Sequence, residues 1–116
     1  MLVSEILRIK GNTLFTAAPG DAVQEAVRVM AQHDIGSLVV MERGRLAGML
    51  TFREVLEALA KHGGSLGALT IGDIYQRDPL TAPPGLDVMD LRRTMLDRHA
   101  RYVPVMDGTT LQGVVS

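Results

Sequence analysis

The spacing of hydrophobic residues in the first half of the chain changes several times between helical and strand periodicity. Apolar residues at positions 2, 3, 6 and 7 predict a short helical turn, and residues 14–16 predict a brief strand. A helix is predicted from Asp21, whose carboxylate can cap the first turn with Gln24 as its capping-box partner. This helix should end near residues 33–36, and its apolar stripe consists of Val23, Ala26, Val27 and Met30.

A hairpin and a second helix complete the first half. Residues 37–41 form an apolar run of strand length, residues 42–45 supply a Gly-containing turn, and residues 46–50 predict the returning strand. Residues 52–61 place their large apolar side chains on one helical face, so we expect a helix there. Residues 63–70 are the expected linker to the second half.

The second half repeats the first. Residues 19–51 align with residues 84–116 at a constant offset of 65, and nine of these 33 positions are identical, where chance gives about two. Upstream, residues 3–6 match residues 71–74 at an offset of 68, so a difference of three residues falls in a loop within residues 7–18. The identical pairs are Pro19/Pro84, Gly20/Gly85, Val23/Val88, Arg28/Arg93, Met30/Met95, Val40/Val105, Met41/Met106, Leu46/Leu111 and Gly48/Gly113.

Such a repeat predicts two similar units related by a pseudo-two-fold axis, with function at their interface. The sequence ends at Ser116, the counterpart of Thr51, so the second copy has no counterpart of the helix at 52–61. We expect the part of the sheet that this helix would cover either to favour association with another chain or to leave a less stable C-terminal edge. The predicted elements of the second copy are a strand at 80–81, a helix at 87–98, and hairpin strands at 102–106 and 111–115.

Composition excludes several function classes. The chain has 116 residues, 47% of them hydrophobic, with a formal net charge of −1, 3% aromatic residues and no cysteine. The lack of cysteine excludes disulfides and thiolate chemistry, and the balanced charge gives no reason to expect nucleic acid or a membrane surface as partner. The apolar run at 35–41 is too short to span a bilayer, and no signal-peptide pattern is present, so we expect a cytoplasmic protein.

Catalytic and metal chemistry find little support in the sequence. No Ser, His and acid arrangement, phosphate-cradling Gly-rich loop or carboxylate pair is evident, so we expect neither an enzyme nor any catalytic residue. His33, His62 and His99 lie near predicted helix ends without a second ligand at metal spacing, so no metal site is expected. The methionines at apolar positions, among them Met49, are expected to fill the core.

Several motifs together resemble the tandem cystathionine β-synthase (CBS) domain pair, or Bateman module. Residues 48–54, Gly-Met-Leu-Thr-Phe-Arg-Glu, resemble the family's Gly-x-x-Thr/Ser-x-x-Asp motif, and residues 113–116 resemble its first half. Residues 35–40 and 98–105 resemble the loop-into-strand segments that precede this motif. The resemblance implies an α+β (α/β) fold of two CBS repeats, each a small sheet against two helices. The repeats would be residues 1–62 and 71–116, joined by the linker at 63–70.

The resemblance also implies a ligand and its site. Members of this family bind an adenine nucleotide or adenosyl compound between the repeats, so AMP, ADP or ATP is expected first, then NAD or S-adenosylmethionine. A homodimer forming a disc of four repeats is the expected assembly, and the regulated partner protein is unknown. The implied ligand-binding residues are Leu14, Phe15, Thr16, Gly36, Ser37, Met49, Thr51 and Glu54 for the first site, and Pro79, Leu80, Thr81, Arg98, His99, Arg101, Tyr102, Pro104, Val114 and Ser116 for the second.

These residues also have simpler explanations. Thr51 and Glu54 would hold a ribose according to the resemblance, but they also form a capping-box pattern, and Glu54 stands where the family has Asp. Arg98, His99 and Arg101 could meet a phosphate, or they could stabilise the end of a helix through its dipole. Gly48 and Gly113 allow either close approach of a ligand or a bend in the hairpin.

Two hypotheses of function from different classes therefore remain. In the first, the chain is a ligand-sensing regulatory module that responds to an adenine nucleotide or adenosyl compound and modulates a partner. In the second, it is a dimerisation or scaffolding module with degenerate, non-binding clefts. The departure at Glu54 and the incomplete second copy are consistent with the second hypothesis, but the sequence as a whole favours the first.

Overall fold

The computed structural model describes residues 1–10 and 14–116, and the elements within them alternate between helices and short strands. The helices are α1 (Val3–Lys10), α2 (Val23–His33), α3 (Phe52–Lys61), α4 (Ile71–Ile74) and α5 (Val88–Asp97). The strands are β1 (Thr16–Ala17), β2 (Ser37–Glu42), β3 (Arg45–Thr51), β4 (Gln76–Arg77), β5 (Val103–Asp107) and β6 (Thr110–Val115). The predicted helix at 52–61 and the two predicted hairpins are confirmed.

The chain forms two compact units. The continuous unit is Phe15–Asp78, and the split unit combines Met1–Leu14 with Pro79–Ser116. In the continuous unit, the sheet order is β1-β2-β3-β4, with β1 parallel to β2 and the other pairs antiparallel. Its core joins one face of this sheet to α2, α3 and α4 and includes Val23, Met30, Leu38, Val40, Leu50, Val55 and Ile71.

The split unit is a smaller version of the same arrangement. Strands β5 and β6 form a two-stranded antiparallel sheet, and α1 and α5 supply the helices that pack against it. A single parallel bridge between Ala82 and Val105 takes the place that β1 has in the continuous unit. The buried core of this unit consists of Val3, Leu7, Ala82, Leu91, Val103 and Val105.

Each unit is closed by the leading helix of the other sequence repeat. Helix α4 begins the second repeat, yet the Ile71 amide donates to the Asp21 carbonyl oxygen at 2.9 Å in the continuous unit. Helix α1 begins the first repeat, yet the Val3 amide donates to the Leu86 carbonyl oxygen at 2.9 Å in the split unit. The two bonds are equivalent under the offsets of 65 and 68. Neither repeat is therefore closed by its own leading segment.

We call this closure of each unit by the leading helix of the other repeat the exchanged packing. Two glycines leave room for it. A Cβ atom on Gly48 would lie 2.0 Å from the Gln76 carbonyl oxygen and 2.8 Å from the Tyr75 ring. A Cβ atom on Gly113 would lie 3.0 Å from the Leu7 side chain. Leu7 and Tyr75 are equivalent under the offset of 68, and the two glycines are equivalent under the offset of 65. Both glycines therefore allow the exchanged segment to approach the hairpin closely.

The helix caps only partly agree with the sequence pattern. Thr51 and Glu54 form the predicted capping box at the start of α3. The predicted cap by Asp21 is wrong, because α2 begins at Val23 and its N-cap, Ala22, makes no side-chain bond. The Asp21 carboxylate instead accepts from the Ala18 amide at 2.9 Å. The Val23 amide donates to the Leu69 carbonyl oxygen at 3.0 Å, so a distant segment satisfies the donor that a side-chain cap would have served.

Three predicted elements differ from the structure in extent. The turn predicted at 2–7 belongs to a longer helix, α1, and the strand predicted at 14–16 is Thr16–Ala17. The strand predicted at 80–81 is absent, since pairing is limited to the bridge at Ala82. In the continuous unit the Val39 amide donates to the Phe15 carbonyl oxygen, but the equivalent residue Pro104 has no amide hydrogen to donate to Leu80. Part of the loop predicted within residues 7–18, namely residues 11–13, lies outside the described residues.

The close approach at Gly48 yields a test of the exchanged packing. We expect Gly48→Ala to lower the free energy of unfolding by about 2–3 kcal/mol, because the new methyl group overlaps a backbone oxygen that cannot easily move. The matched control is Gly20→Ala, where the added Cβ meets nothing within 4 Å. Urea denaturation monitored by circular dichroism measures both variants. Equal stability of the two would contradict the packing described for β4.

Candidate functional site

Four candidate residues of the continuous unit, Thr16, Ser37, Met49 and Thr51, share one face of its sheet. Strand alternation puts Leu38, Val40 and Leu50 on the core side, so Ser37, Val39, Met49 and Thr51 lie on the opposite side. Ser37 pairs with Thr51 and Val39 pairs with Met49 across β2 and β3, and Thr16 of β1 lies beside Val39. We call Thr16, Ser37, Val39, Met49 and Thr51 the non-core face of the continuous unit.

This face combines an apolar floor with hydroxyl groups. Val39 and Met49 are fully buried, whereas Ser37 and Thr51 are half-buried and Thr16 is exposed. Both half-buried hydroxyls lie at the end of the hairpin where α3 begins. The Phe52 amide donates to the Gly36 carbonyl oxygen at 3.0 Å, which fixes the loop before β2 beside the first turn of α3. Gly36, Ser37, Thr51 and Glu54 are thus brought together.

The capping box uses part of the hydrogen-bonding capacity of Thr51 and Glu54. The Thr51 amide and hydroxyl donate to Glu54 Oε1 at 2.7 and 2.8 Å, and the Arg53 amide donates to Thr51 Oγ1 at 3.2 Å. A hydroxyl oxygen can accept two hydrogen bonds, and a carboxylate has about four acceptor positions. The cap therefore orients both side chains and leaves them acceptor capacity. Capping and ligand contact are compatible at this position.

Two of the residues expected near an adenine base, Phe15 and Leu80, pack against the cores of their units. Phe15 packs against the core of the continuous unit, and its ring centroid lies 4.3 Å from that of His33. The Val39 amide donates to the Phe15 carbonyl oxygen at 3.1 Å. Leu14 belongs to the split unit, where Leu80 also packs against the core. Pro79 is half-buried in the same unit.

The split unit carries an equivalent face. Pro104 pairs with Val114 across β5 and β6, and these positions are equivalent to Val39 and Met49 under the offset of 65. Pro104 is fully buried and Val114 half-buried. The remaining candidates at equivalent positions are Thr81, Tyr102 and Ser116, of which Tyr102 is half-buried and the other two are exposed. We call these five residues the non-core face of the split unit.

The basic candidates lie in the loop between α5 and β5. Arg98 is the C-cap of α5, and His99 adopts a left-handed backbone with φ of 53°. Arg98, His99 and Arg101 are all exposed. The Ala100 amide donates to the Met95 carbonyl oxygen at 2.9 Å, which ties this loop to the last turn of the helix. The loop leads directly into the non-core face at Tyr102.

Sequence reasoning missed two residues of these surroundings. Val39 forms the buried floor of the non-core face with Met49, and Gln76 of β4 pairs with Met49 on the opposite edge. Strict alternation from Ser37 would have identified Val39. No local signal identifies Gln76, because β4 is two residues long and pairs through a contact distant in sequence.

Other features of the described residues lie apart from these faces. A groove of about 450 Å³ in the continuous unit lies between α3 and the segment containing α4, and Glu54 is the candidate residue that lines it. In the described ranges 1–10 and 14–116, no group of three or more His, Cys, Asp or Glu side chains is arranged to hold a metal ion. The helices described in these ranges are all too short or too polar to cross a membrane.

Comparisons with known proteins agree with the repeat and its motifs. The chain is 29% identical to the CBS domain-containing protein YhcV of Bacillus subtilis, over 87% of this chain and 71% of the relative. It is 30% identical to the mitochondrial CBS domain-containing protein CBSX3 of Arabidopsis thaliana, over 98% of this chain and 60% of the relative. The chain thus spans less than two thirds of the length of CBSX3.

Solved structures share the whole fold. The CBS-domain containing protein ATU1752 from Agrobacterium tumefaciens matches all of this chain with a TM-score of 0.93 at 25% identity, over 93% of its own length. The CBS domain pair of protein MJ0100, solved in complex with 5′-methylthioadenosine and S-adenosyl-L-methionine, matches with a TM-score of 0.87 at 27% identity, over 89% of its length.

The family model described as CBS domain matches the chain twice, over residues 3–61 and 71–116. These segments include both hairpins, both glycines of the exchanged packing and the capping box at Thr51. The chain therefore belongs to the CBS domain family as a tandem pair of CBS domains.

Proposed function

We propose that this CBS pair is a regulatory module that binds an adenine nucleotide or adenosyl compound at its non-core faces. The observation that carries the proposal is the pairing of Ser37 with Thr51 above the buried floor of Val39 and Met49. An adenosyl ligand has one apolar, planar part and one part rich in hydroxyls. The half-buried hydroxyls of Ser37 and Thr51 complement the hydroxyl-rich part, and the covered side chains of Val39 and Met49 make the surroundings of that end apolar.

The chemistry of ribose recognition supports the proposal. The Thr51 hydroxyl can accept a further hydrogen bond, and the Glu54 carboxylate retains acceptor positions for a ribose diol. The capping box holds both side chains in place before any ligand arrives, which lowers the entropic cost of binding. The related MJ0100 pair, which binds two adenosyl compounds, gives independent support for this ligand class.

A regulatory role also needs a surface that contacts another protein chain, so that a bound ligand can change how the two chains associate. Leu56 on α3 is 59% exposed, and Met89 and Leu96 on α5 are 61% and 72% exposed. Met89 and Leu96 are seven residues apart, so they lie on one side of α5. We infer that these apolar helix surfaces form a homodimer interface. A ligand would act by binding the two forms of that dimer with different affinity.

A titration tests the ligand class. We expect the midpoint of thermal unfolding to rise by several degrees with one of AMP, ADP, ATP, NAD, 5′-methylthioadenosine or S-adenosylmethionine. A ligand at 100 times its dissociation constant adds about 2.7 kcal/mol of stability. Differential scanning fluorimetry on ligand-stripped protein measures the shift, with guanosine as the control. A cooperative transition unmoved by every adenosyl compound would support the scaffolding hypothesis instead.

Substitution of Thr51 tests the site. Thr51→Ala should weaken adenosyl binding at the continuous unit about tenfold, because the hydroxyl is lost and Glu54 loses its orienting partner. The matched control is Thr70→Ala, which removes an equivalent capping box with Asp73 at the start of α4. Isothermal titration calorimetry measures both variants. If both weaken binding equally, the effect of Thr51 is one of helix stability, and the site assignment is wrong.

Substitution of the helix surfaces tests the dimer. Leu56→Glu combined with Leu96→Glu should reduce the mass in solution from twice the chain mass to the chain mass of 12.5 kDa, because a dimer would bury the new charges. The control is Ile9→Glu on α1, since Ile9 is 70% exposed and lies outside these surfaces. Sedimentation velocity gives the masses. A mass that is unchanged by the double substitution would exclude this interface.

A further inference from the structure

The loops that lead into the two hairpins have the same backbone but opposite charge. In the continuous unit, Asp34 has φ of 52°, and the Ile35 amide donates to the Met30 carbonyl oxygen at 3.0 Å. In the split unit, His99 has φ of 53°, and the Ala100 amide donates to the Met95 carbonyl oxygen at 2.9 Å. These positions are equivalent under the offset of 65. The two loops are therefore one structure with different side chains.

The side chains of the split unit's loop are basic. Arg98 and Arg101 are exposed on either side of His99. The Asp97 carboxylate, also exposed, is the acidic group next to them along the chain. Two guanidinium groups and one carboxylate leave the loop with a net positive charge. Arginine offers forked donors that match the oxygens of a phosphate group.

The corresponding positions of the continuous unit provide no such donors. Gly36 is the counterpart of Arg101 under the offset of 65. His33, whose ring contacts Phe15, is the counterpart of Arg98. Asp34 is exposed and carries the carboxylate of this loop. The loop is therefore acidic, and its carboxylate would repel a phosphate group.

We propose that the two units select adenosyl ligands by charge, and this proposal rests on the function proposed above. The split unit takes adenosine that carries phosphate groups, with the phosphates beside Arg98 and Arg101. The continuous unit takes adenosyl compounds without phosphate, of the neutral or cationic kind. Each unit would then respond to a different class of adenosyl compound, whereas two identical sites would both respond to the same compound.

Because the two loops share one backbone conformation, the side chain of each can be substituted into the other. His99→Asp and Asp34→His each introduce the residue that the other unit already holds at the same φ, so neither should strain the loop. Arg98→Gln removes one positive charge from the basic loop. The matched control is Arg92→Gln, which removes the same charge from an exposed position of α5 outside that loop.

Calorimetric titrations of the full chain with ATP and with 5′-methylthioadenosine, at low and high ionic strength, test the proposal. We expect Arg98→Gln and His99→Asp each to weaken ATP binding roughly threefold to tenfold, as removal of one nearby charge should. Asp34→His should tighten ATP binding, and 5′-methylthioadenosine should bind all variants as it binds the parent. High ionic strength should weaken the binding of ATP but not that of 5′-methylthioadenosine.

The outcomes separate this proposal from the function on which it rests. If Arg98→Gln and His99→Asp change ATP binding no more than Arg92→Gln does, charge selection is wrong. Adenosyl binding itself would still stand, provided that 5′-methylthioadenosine binds. If the parent chain unfolds cooperatively and binds neither compound, both proposals fail. Parent-like melting temperatures of the exchanged variants exclude misfolding as the cause of any loss.

Discussion

The fold depends on backbone hydrogen bonds that join each hairpin unit to the leading helix of the other repeat. The Ile71 amide reaches the Asp21 carbonyl and the Gly72 amide reaches the Pro19 carbonyl, at 2.9 and 2.7 Å. Their counterparts run from Val3 and Ser4 to Leu86 and Pro84 at 2.9 and 3.0 Å. Buried amides need partners, and here those partners come from segments far away in sequence. The hairpin glycines Gly48 and Gly113 lie where these segments approach most closely.

The sequence predicted those parts of the fold whose determinants are local. The helix at 52–61 carries its own capping box and apolar stripe, and each hairpin carries its own turn, so both were identified correctly. Asp21 looked like a cap because its position and residue type fit, but the amide at Val23 is served by the distant Leu69 carbonyl. In the same way, the pattern around Gly48 allowed a bend or the close approach of a ligand. The groups that approach Gly48 in the structure are Tyr75 and Gln76, which are more than 25 residues away.

The candidate site also has parts that depend on local sequence and parts that depend on distant residues. Ser37, Met49 and Thr51 were named because of the family resemblance, and alternation along β2 and β3 puts them on one face, because a strand fixes the side of each residue. The other component, β4 beside Met49, has no signal in its own two residues. Which ligand each face prefers depends on charges in the preceding loops. Those charges can be read from the sequence, but their equivalence became evident only when Asp34 and His99 proved to share one backbone conformation.

The exchanged helices have a consequence for assembly beyond any dimer interface. A unit that is closed by a segment from elsewhere in its chain presents the same hydrogen-bonding edge to that segment in a second molecule. Val3 and Ser4 would meet the carbonyls of Leu86 and Pro84 identically in either case. Closure within one chain and exchange between two chains therefore differ in entropy rather than in contacts. High concentration or partial unfolding would shift this balance towards domain-swapped oligomers whose units are individually native.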